Sequence, residues 1–178
     1  MILYHTSDRE IRHPDIHHGR KNADFGWGFY LTPDMDFACG WAGENAVLNE
    51  YAFEETGLEV HRFSRGTEWF SYIFHNRRLQ DRLAADVIIG PVANDTIFDT
   101  LGIISSGYLK PEEASELLMI GPVFIQVALK TEKAASHLRW IRAERIGHPD
   151  SEALKAEQEA YQMQFAAALE KLTEAQEA

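Results

Sequence analysis

Apolar residues come along this chain in short runs, and the runs are of two kinds. Ile2–His5, Gly28–Thr32, Ala46–Phe53, Leu58–Phe63, Val87–Val92 and Val123–Leu129 are brief, rich in β-branched and aromatic residues, and predict strands. Thr56-Gly57 separates the third from the fourth and predicts a hairpin with a short loop. Other stretches repeat their apolar positions at helical spacing. Pro33, with Asp34 and Asp36, opens a helix through Phe37, Ala38, Trp41 and Ala42. Thr67 to Phe74 puts Trp69, Phe70 and Ile73 on one face, and Pro111-Glu112-Glu113 is a third helix start with acids near the positive helix end. After Gly147, Pro149-Asp150-Ser151 begins a last helix whose stripe is Leu154, Tyr161, Phe165, Ala168 and Leu172.

Strands outnumber helices centrally and do not alternate with them as βαβ units do, so the class is α+β with mostly antiparallel pairing. The composition shift at Gly147 divides the chain into a domain of residues 1–147 and an amphipathic, acidic C-terminal helix of residues 148–178. That helix sets two lysines against six glutamates, and its stripe either packs on its own domain or serves a partner helix.

Charge narrows the function. Seventeen Lys and Arg face 28 Asp and Glu, a net charge of -11, which disfavours nonspecific nucleic-acid binding because that needs a basic footprint. Cys39 is the single cysteine, so a disulfide framework and a cysteine-based zinc site within the chain are excluded; it reads as a small buried residue. MILYHTSDRE lacks a basic region followed by an apolar run, and no apolar stretch approaches the roughly 20 residues of a membrane helix. The expectation is a cytoplasmic protein without a membrane partner.

Three segments carry candidate chemistry: Tyr4-His5-Thr6-Ser7, Gly26-Trp27-Gly28-Phe29-Tyr30 and Ile125-Gln126-Val127. Each has an ordinary explanation alone. A His ending a strand is often a satisfied rim residue, and a strand Tyr is usually core with its hydroxyl bonded. A Gln inside an apolar strand asks for a partner, because an unpaired buried amide costs about 1–3 kcal/mol. Gly26 and Gly28 permit strained backbone or close approach, and Phe29 must face opposite to Tyr30 on a strand and so belongs to the core. Asp24 is a candidate for a loop-fixing hydrogen bond, and Arg20, with Lys21 a weaker copy, for a phosphate contact; a surface ion pair is the plain alternative. His13, His17 and His18 have helix-like metal spacing, but Pro14-Asp15 makes their segment a loop, and no metal is expected there. Trp41 reads as a core anchor, Glu132 as a solvated acid in a Thr131-Glu132-Lys133 loop, and Asn94-Asp95 as a turn.

Taken in order, LYHTS, PDIHHGRKNADFGWGFYLT, FACGWA, NEYAFEETGLEVHRFSRGTEWFSYIFHNRR, DVIIGPVANDTIFDT and FIQVALKTEKAASHL resemble the ADP-ribosyltransferase superfamily, and within it a bacterial family of unknown function. The resemblance runs from residue 1 to about residue 143 and ends before the acidic helix. It implies a split β-sheet core with flanking helices, NAD as substrate, and transfer of ADP-ribose to an acceptor, macromolecular or small. The superfamily's His, Tyr and Glu triad falls on His5, Tyr30 and Gln126. The resemblance implies that His5 binds the adenosine ribose, the Thr6 backbone the nicotinamide carboxamide, Tyr30 the nicotinamide ring and Gln126 the nicotinamide ribose. Gly26 and Gly28 would let the ligand lie close, and Arg20 would meet the pyrophosphate. Gln126 departs from the classical Glu, keeping hydrogen bonds and losing the charge, which puts poly-chain extension in doubt. Proteins of this kind commonly act as toxins beside a small antitoxin-like partner. A non-catalytic module binding NAD, ADP-ribose or a protein, and an NAD glycohydrolase, stay open as alternatives.

Overall fold

The computed structural model describes residues 1–77, 83–93, 116–117, 119–147 and 151–177. The expected helix start at Pro111, the turn at Asn94-Asp95 and the helix start at Pro149-Asp150 lie outside these residues. In chain order the elements are β1 (Ile2–Ser7), β2 (Phe29–Leu31), α1 (Met35–Gly40), β3 (Val47–Phe53), β4 (Val60–Arg62), α2 (Thr67–Asn76), β5 (Val87–Pro91), β6 (Ile125–Leu129), α3 (Glu132–Ser136), β7 (Leu138–Arg145) and α4 (Ser151–Glu177). The architecture is α+β with two sheets. One has the order β1-β3-β7 and the other β2-β6-β5-β4, and among the described residues all ladders are antiparallel except β4 with β5.

The two sheets meet at an isolated bridge, where Tyr4 and Thr32 exchange backbone hydrogen bonds of 2.8 and 3.0 Å. Beyond it β1 and β2 part. Period-two alternation sorts their side chains. Phe29 and Leu31 enter a core with Leu3, Tyr51, Phe53, Val127 and Leu129, as expected for Phe29, while Tyr30 turns to the opposite face. That face carries a second core of Phe25, Phe63, Ile88 and Ala128 beneath Trp69 and Ile73 of α2. The stripe read for α2 is the buried one, with Phe70 half-buried at its margin.

Four expectations are corrected. The 46–53 and 58–63 segments form no hairpin. Gly57, at φ 81°, does turn the chain, but β3 already has β1 on one side and β7 on the other, so β4 crosses to the second sheet and pairs in parallel with β5. Trp41 is 67% exposed rather than core: Ala38 and Ala42 fill the inward face of the α1 region, and Trp41 pairs edge-on with Phe37 on the outer one. Thr131 caps α3, its hydroxyl accepting from the Ala134 N–H, so Glu132 starts a helix instead of sitting in a loop. Cys39 is half-buried, and burial, followed by the fields of Asp36 and Glu144, pushes its thiol pKa up, away from a reactive thiolate.

α4 packs on this chain's own Leu117, Ile120 and Gly121. Phe165, Ala168, Leu169 and Leu172 surround Leu117 and Ile120, and Tyr161 lies so close to Gly121 that a Cβ there would sit 2.6 Å from its ring. Arg65 holds the same segment from the domain side, donating to the carbonyls of Ile120 at 2.9 Å and Gly121 at 3.0 Å. Among the described residues no helix is long and apolar enough to cross a membrane.

Candidate functional site

Where β1 and β2 part, a cavity of about 1200 Å³ opens, lined by His5, Thr6, Arg20, Gly28, Tyr30 and Gln126 together with Phe37, Trp41 and Arg77. All the residues expected at the site therefore reach one cleft except Gly26, which does not line it. The register explains the convergence. Tyr30 pairs with Ala128 across the β2–β6 ladder, so Gln126 is its diagonal neighbour on the same face. β1 runs beside β2 at the bridge, and His5 reaches over to it.

His5 donates through Nδ1 to the Tyr30 carbonyl at 2.7 Å, and its ring lies 4.4 Å from that of Phe29. With the proton fixed on Nδ1, neutral imidazole presents Nε2 as an acceptor. Burial holds the His5 pKa below its ordinary value, an effect the Tyr30 hydrogen bond partly opposes. The Thr6 hydroxyl donates to the Ala38 carbonyl at 2.5 Å, locking β1 to α1. Tyr30 is half-buried, and its hydroxyl is committed to the glycine loop, accepting from the Phe25 N–H at 3.0 Å and donating to the Gly26 carbonyl at 2.7 Å. What it offers the cleft is its ring.

The two glycines permit strained backbone and close approach, as expected, in two different ways. Gly26 takes φ 73°, a left-handed turn that lets the loop fold under the Tyr30 hydroxyl. Gly28 lies against β6, where a Cβ would stand 2.6 Å from the Leu129 carbonyl oxygen, and its own carbonyl crowds Gly19. At Gly28 backbone approaches backbone, and the residue also lines the cleft.

The cleft floor is polar and closed. Asp24, with a side chain 8% exposed, receives Arg77 on Oδ1, through Nε at 3.0 Å and through Nη2. Its Oδ2 receives the Ala93 N–H at 2.8 Å and Gln126 Nε2 at 2.7 Å. Asp24 thus fixes its loop as expected, and Gln126 has the partner its position demanded. Arg77 and Ala93 were beyond sequence reasoning: nothing in His75-Asn76-Arg77-Arg78 marks one arginine as buried. The rim is open. Arg20 and Lys21 are exposed, and Lys21 lies over the Trp27 ring at 4.3 Å. The rim segment at residues 9–11 is held from below by buried Asn49, which accepts from the Ile11 N–H at 2.8 Å and donates to the Arg9 carbonyl, and by the Tyr51 hydroxyl. Of the three loop histidines, His17 stands near Asp15 and Glu132 at 3.7 and 3.6 Å, all three exposed. Phe37, stacked on Phe124 at 4.3 Å, and Trp41 form an aromatic lip that sequence reasoning had assigned to the core or passed over.

Fold and site together define a two-sheet α+β domain with a polar-floored cleft at the parting of its sheets. The chain belongs to a family described as a protein of unknown function (DUF3990), whose model matches residues 1–140. Neither curated proteins nor solved structures gave a match.

Proposed function

We propose that this domain binds NAD in the cleft, cleaves nicotinamide from it and transfers ADP-ribose to an acceptor, as a mono-ADP-ribosyltransferase built on that superfamily's split-sheet core. The observation that carries the reading is the meeting of His5, Thr6, Tyr30 and Gln126 from β1, β2 and β6 at one cavity of about 1200 Å³. That exceeds the roughly 300–1,000 Å³ of drug-sized sites and leaves room for a dinucleotide. The Tyr30 ring is the platform for nicotinamide, His5 Nε2 the acceptor for an adenosine ribose hydroxyl, and Gln126 the group at the nicotinamide ribose. Arg20 supplies the pyrophosphate with a cation. Leaving of nicotinamide builds oxocarbenium character on the ribose, as in glycoside hydrolysis, and asks for a positioned sugar and a flat seat for the departing ring.

The acceptor is macromolecular or small, and a net charge of -11 disfavours its capture through nonspecific phosphate-backbone binding. The resemblance to that superfamily implies the role of an intracellular toxin held by a small antitoxin-like partner. Gln126 also favours a second reading, in which the same cleft holds NAD or ADP-ribose without turnover, because the residue brings no charge to the developing cation. NAD consumption separates the two, and label transfer to a macromolecule separates transferase from glycohydrolase.

Calorimetric titration with NAD tests the shared premise. Wild type should bind saturably, and Tyr30→Ala should weaken binding about tenfold or more, given roughly 1–3 kcal/mol per stacked base. Tyr30→Phe keeps the ring and should stay within a few-fold of wild type by the same stacking argument. No binding by the folded wild type at millimolar NAD would overturn the proposal.

A further inference from the structure

Gln126 sits in β6 among apolar neighbours, yet its amide is held by partners 102 and 35 residues away. Nε2 donates to Asp24 Oδ2 at 2.7 Å and to the Pro91 carbonyl at 3.2 Å, which occupies both amide hydrogens. Only one orientation of the amide is compatible with this. Turned over, Oε1 would face a carboxylate and a carbonyl with no hydrogen between them. Oε1 therefore remains as the acceptor at the cavity that Gln126 lines, and it has no hydrogen bond among the described residues. Asp24 cannot swing away to relax this arrangement. Arg77, the Ala93 N–H and Gln126 saturate its carboxylate, and Asn76 Nδ2 holds its backbone carbonyl at 3.4 Å.

We propose that Asp24 is a positioning residue: it turns the Gln126 carbonyl oxygen toward the cavity, offering an uncharged acceptor to a sugar hydroxyl, and it makes a carboxylate at position 126 incompatible with the floor. The ligand in this statement rests on the dinucleotide reading; the orientation of the amide does not. The inference also accounts for the departure from the classical Glu. A carboxylate at 126 would meet Asp24 Oδ2 and the Pro91 carbonyl, three acceptors with no proton to share. Among the described residues, Asp24 from the glycine loop and Arg77 from the end of α2 are the charged groups of the floor at this position, and His5 of β1 lines the same cavity and titrates in wild type and variants alike. β5 presents Gly90 and Pro91 there, and β2 presents Tyr30.

The test exchanges the two residues. Thermal unfolding of wild type, Gln126→Glu, Asp24→Asn and the double variant is followed between about pH 5 and pH 8, where a free Glu is ionised and a crowded one is not. In Gln126→Glu the folded state raises the new acid's pKa, so its melting temperature should fall as pH rises, by about 5 °C more than wild type across the range. Adding Asp24→Asn returns a donor to face the new acceptor and should flatten that slope. A Gln126→Glu profile parallel to wild type, or a double variant no better than the sum of the singles, would overturn the proposal. Ligand discrimination is the readout that a merely structural role would not move. Wild type should prefer NAD over an analogue lacking a hydroxyl on the nicotinamide ribose by about tenfold, and Asp24→Asn should erase the preference, whereas simple loosening would weaken both alike. Coupled melting with no NAD binding by wild type would uphold the amide's orientation and overturn the sugar hydroxyl as its ligand.

Discussion

The floor and the rim of the cleft are both polar, and they are built on opposite plans. On the floor, Asp24 joins residues 53, 69 and 102 positions away, and its side chain and that of Arg77 are 8% and 15% exposed. On the rim, Arg9 pairs with Asp8 at 3.5 Å and Arg12 with Glu10, neighbours in sequence whose side chains are largely in water. A buried charge must be matched by several partners before it is tolerated, so the floor knits together the glycine loop, α2, β5 and β6. A solvated charge needs no partner, so the rim is free to meet a ligand. Floor residues keep the cleft's shape, and rim residues are placed to recognise what enters it.

Removing the floor's anchor should have the largest effect. Asp24→Ala removes the carboxylate that receives Arg77, the Gln126 amide and the Ala93 N–H at once, and breaking a buried pair costs about 3–5 kcal/mol. Urea unfolding should register that loss directly, with little change in the denaturant slope. A loss under about 1 kcal/mol, the range of surface pairs, would erase the distinction between floor and rim.

Sequence carried the elements better than the partners. β2 was legible because Phe29, Tyr30 and Leu31 alternate cleanly between two cores. β7 was not, although it is eight residues long. Its pairing with β3 passes from Arg142 opposite Glu50 to Trp140 opposite Tyr51, so Ile141 is an extra residue. That bulge puts two half-buried side chains in succession and breaks the period of two. The turn at Thr56-Gly57 was read correctly as a turn and wrongly as a hairpin, because a local signal cannot report that both edges of β3 are taken. The site shows the same limit. Gln126 announced a missing partner by being polar among apolar residues, but that partner lay 102 residues away, and Asp24, legible as a residue that fixes its own loop, carries no local sign of pairing with β6.

Between floor and rim stands His5, a titratable group that belongs to neither. Burial places its folded pKa below the ordinary value near 6.5. The unfolded chain then takes up a proton more readily than the folded one. Stability is fully present above the unfolded pKa and is lost as pH falls through the folded one. Wild type should therefore lose stability on acidification from about pH 8 to pH 5 more steeply than His5→Gln. Protonation of Nε2 also removes the acceptor proposed for the adenosine ribose, so NAD affinity should fall over the same span. Parallel stability profiles would place His5 with the solvated rim instead.

The smallest effect on stability is expected at Arg20, and it is the most informative about function. Its exposed side chain has no hydrogen bond or ion pair among the described residues, yet it lines the cavity. Arg20→Ala should leave unfolding free energy within about 0.5 kcal/mol of wild type, as surface substitutions do. If Arg20 meets a pyrophosphate, NAD affinity should nonetheless fall by about three- to tenfold. The loss should shrink as salt is raised, because an exposed charge acts across solvent that ions screen within roughly 10 Å at 0.1 M. Calorimetry at low and high salt distinguishes this from a general loosening of the loop, which salt would not repair. Unchanged affinity at low salt would remove Arg20 from the site and confine recognition to the walls of the cleft, where the Tyr30 ring, His5 Nε2 and the Gln126 amide would have to hold the ligand.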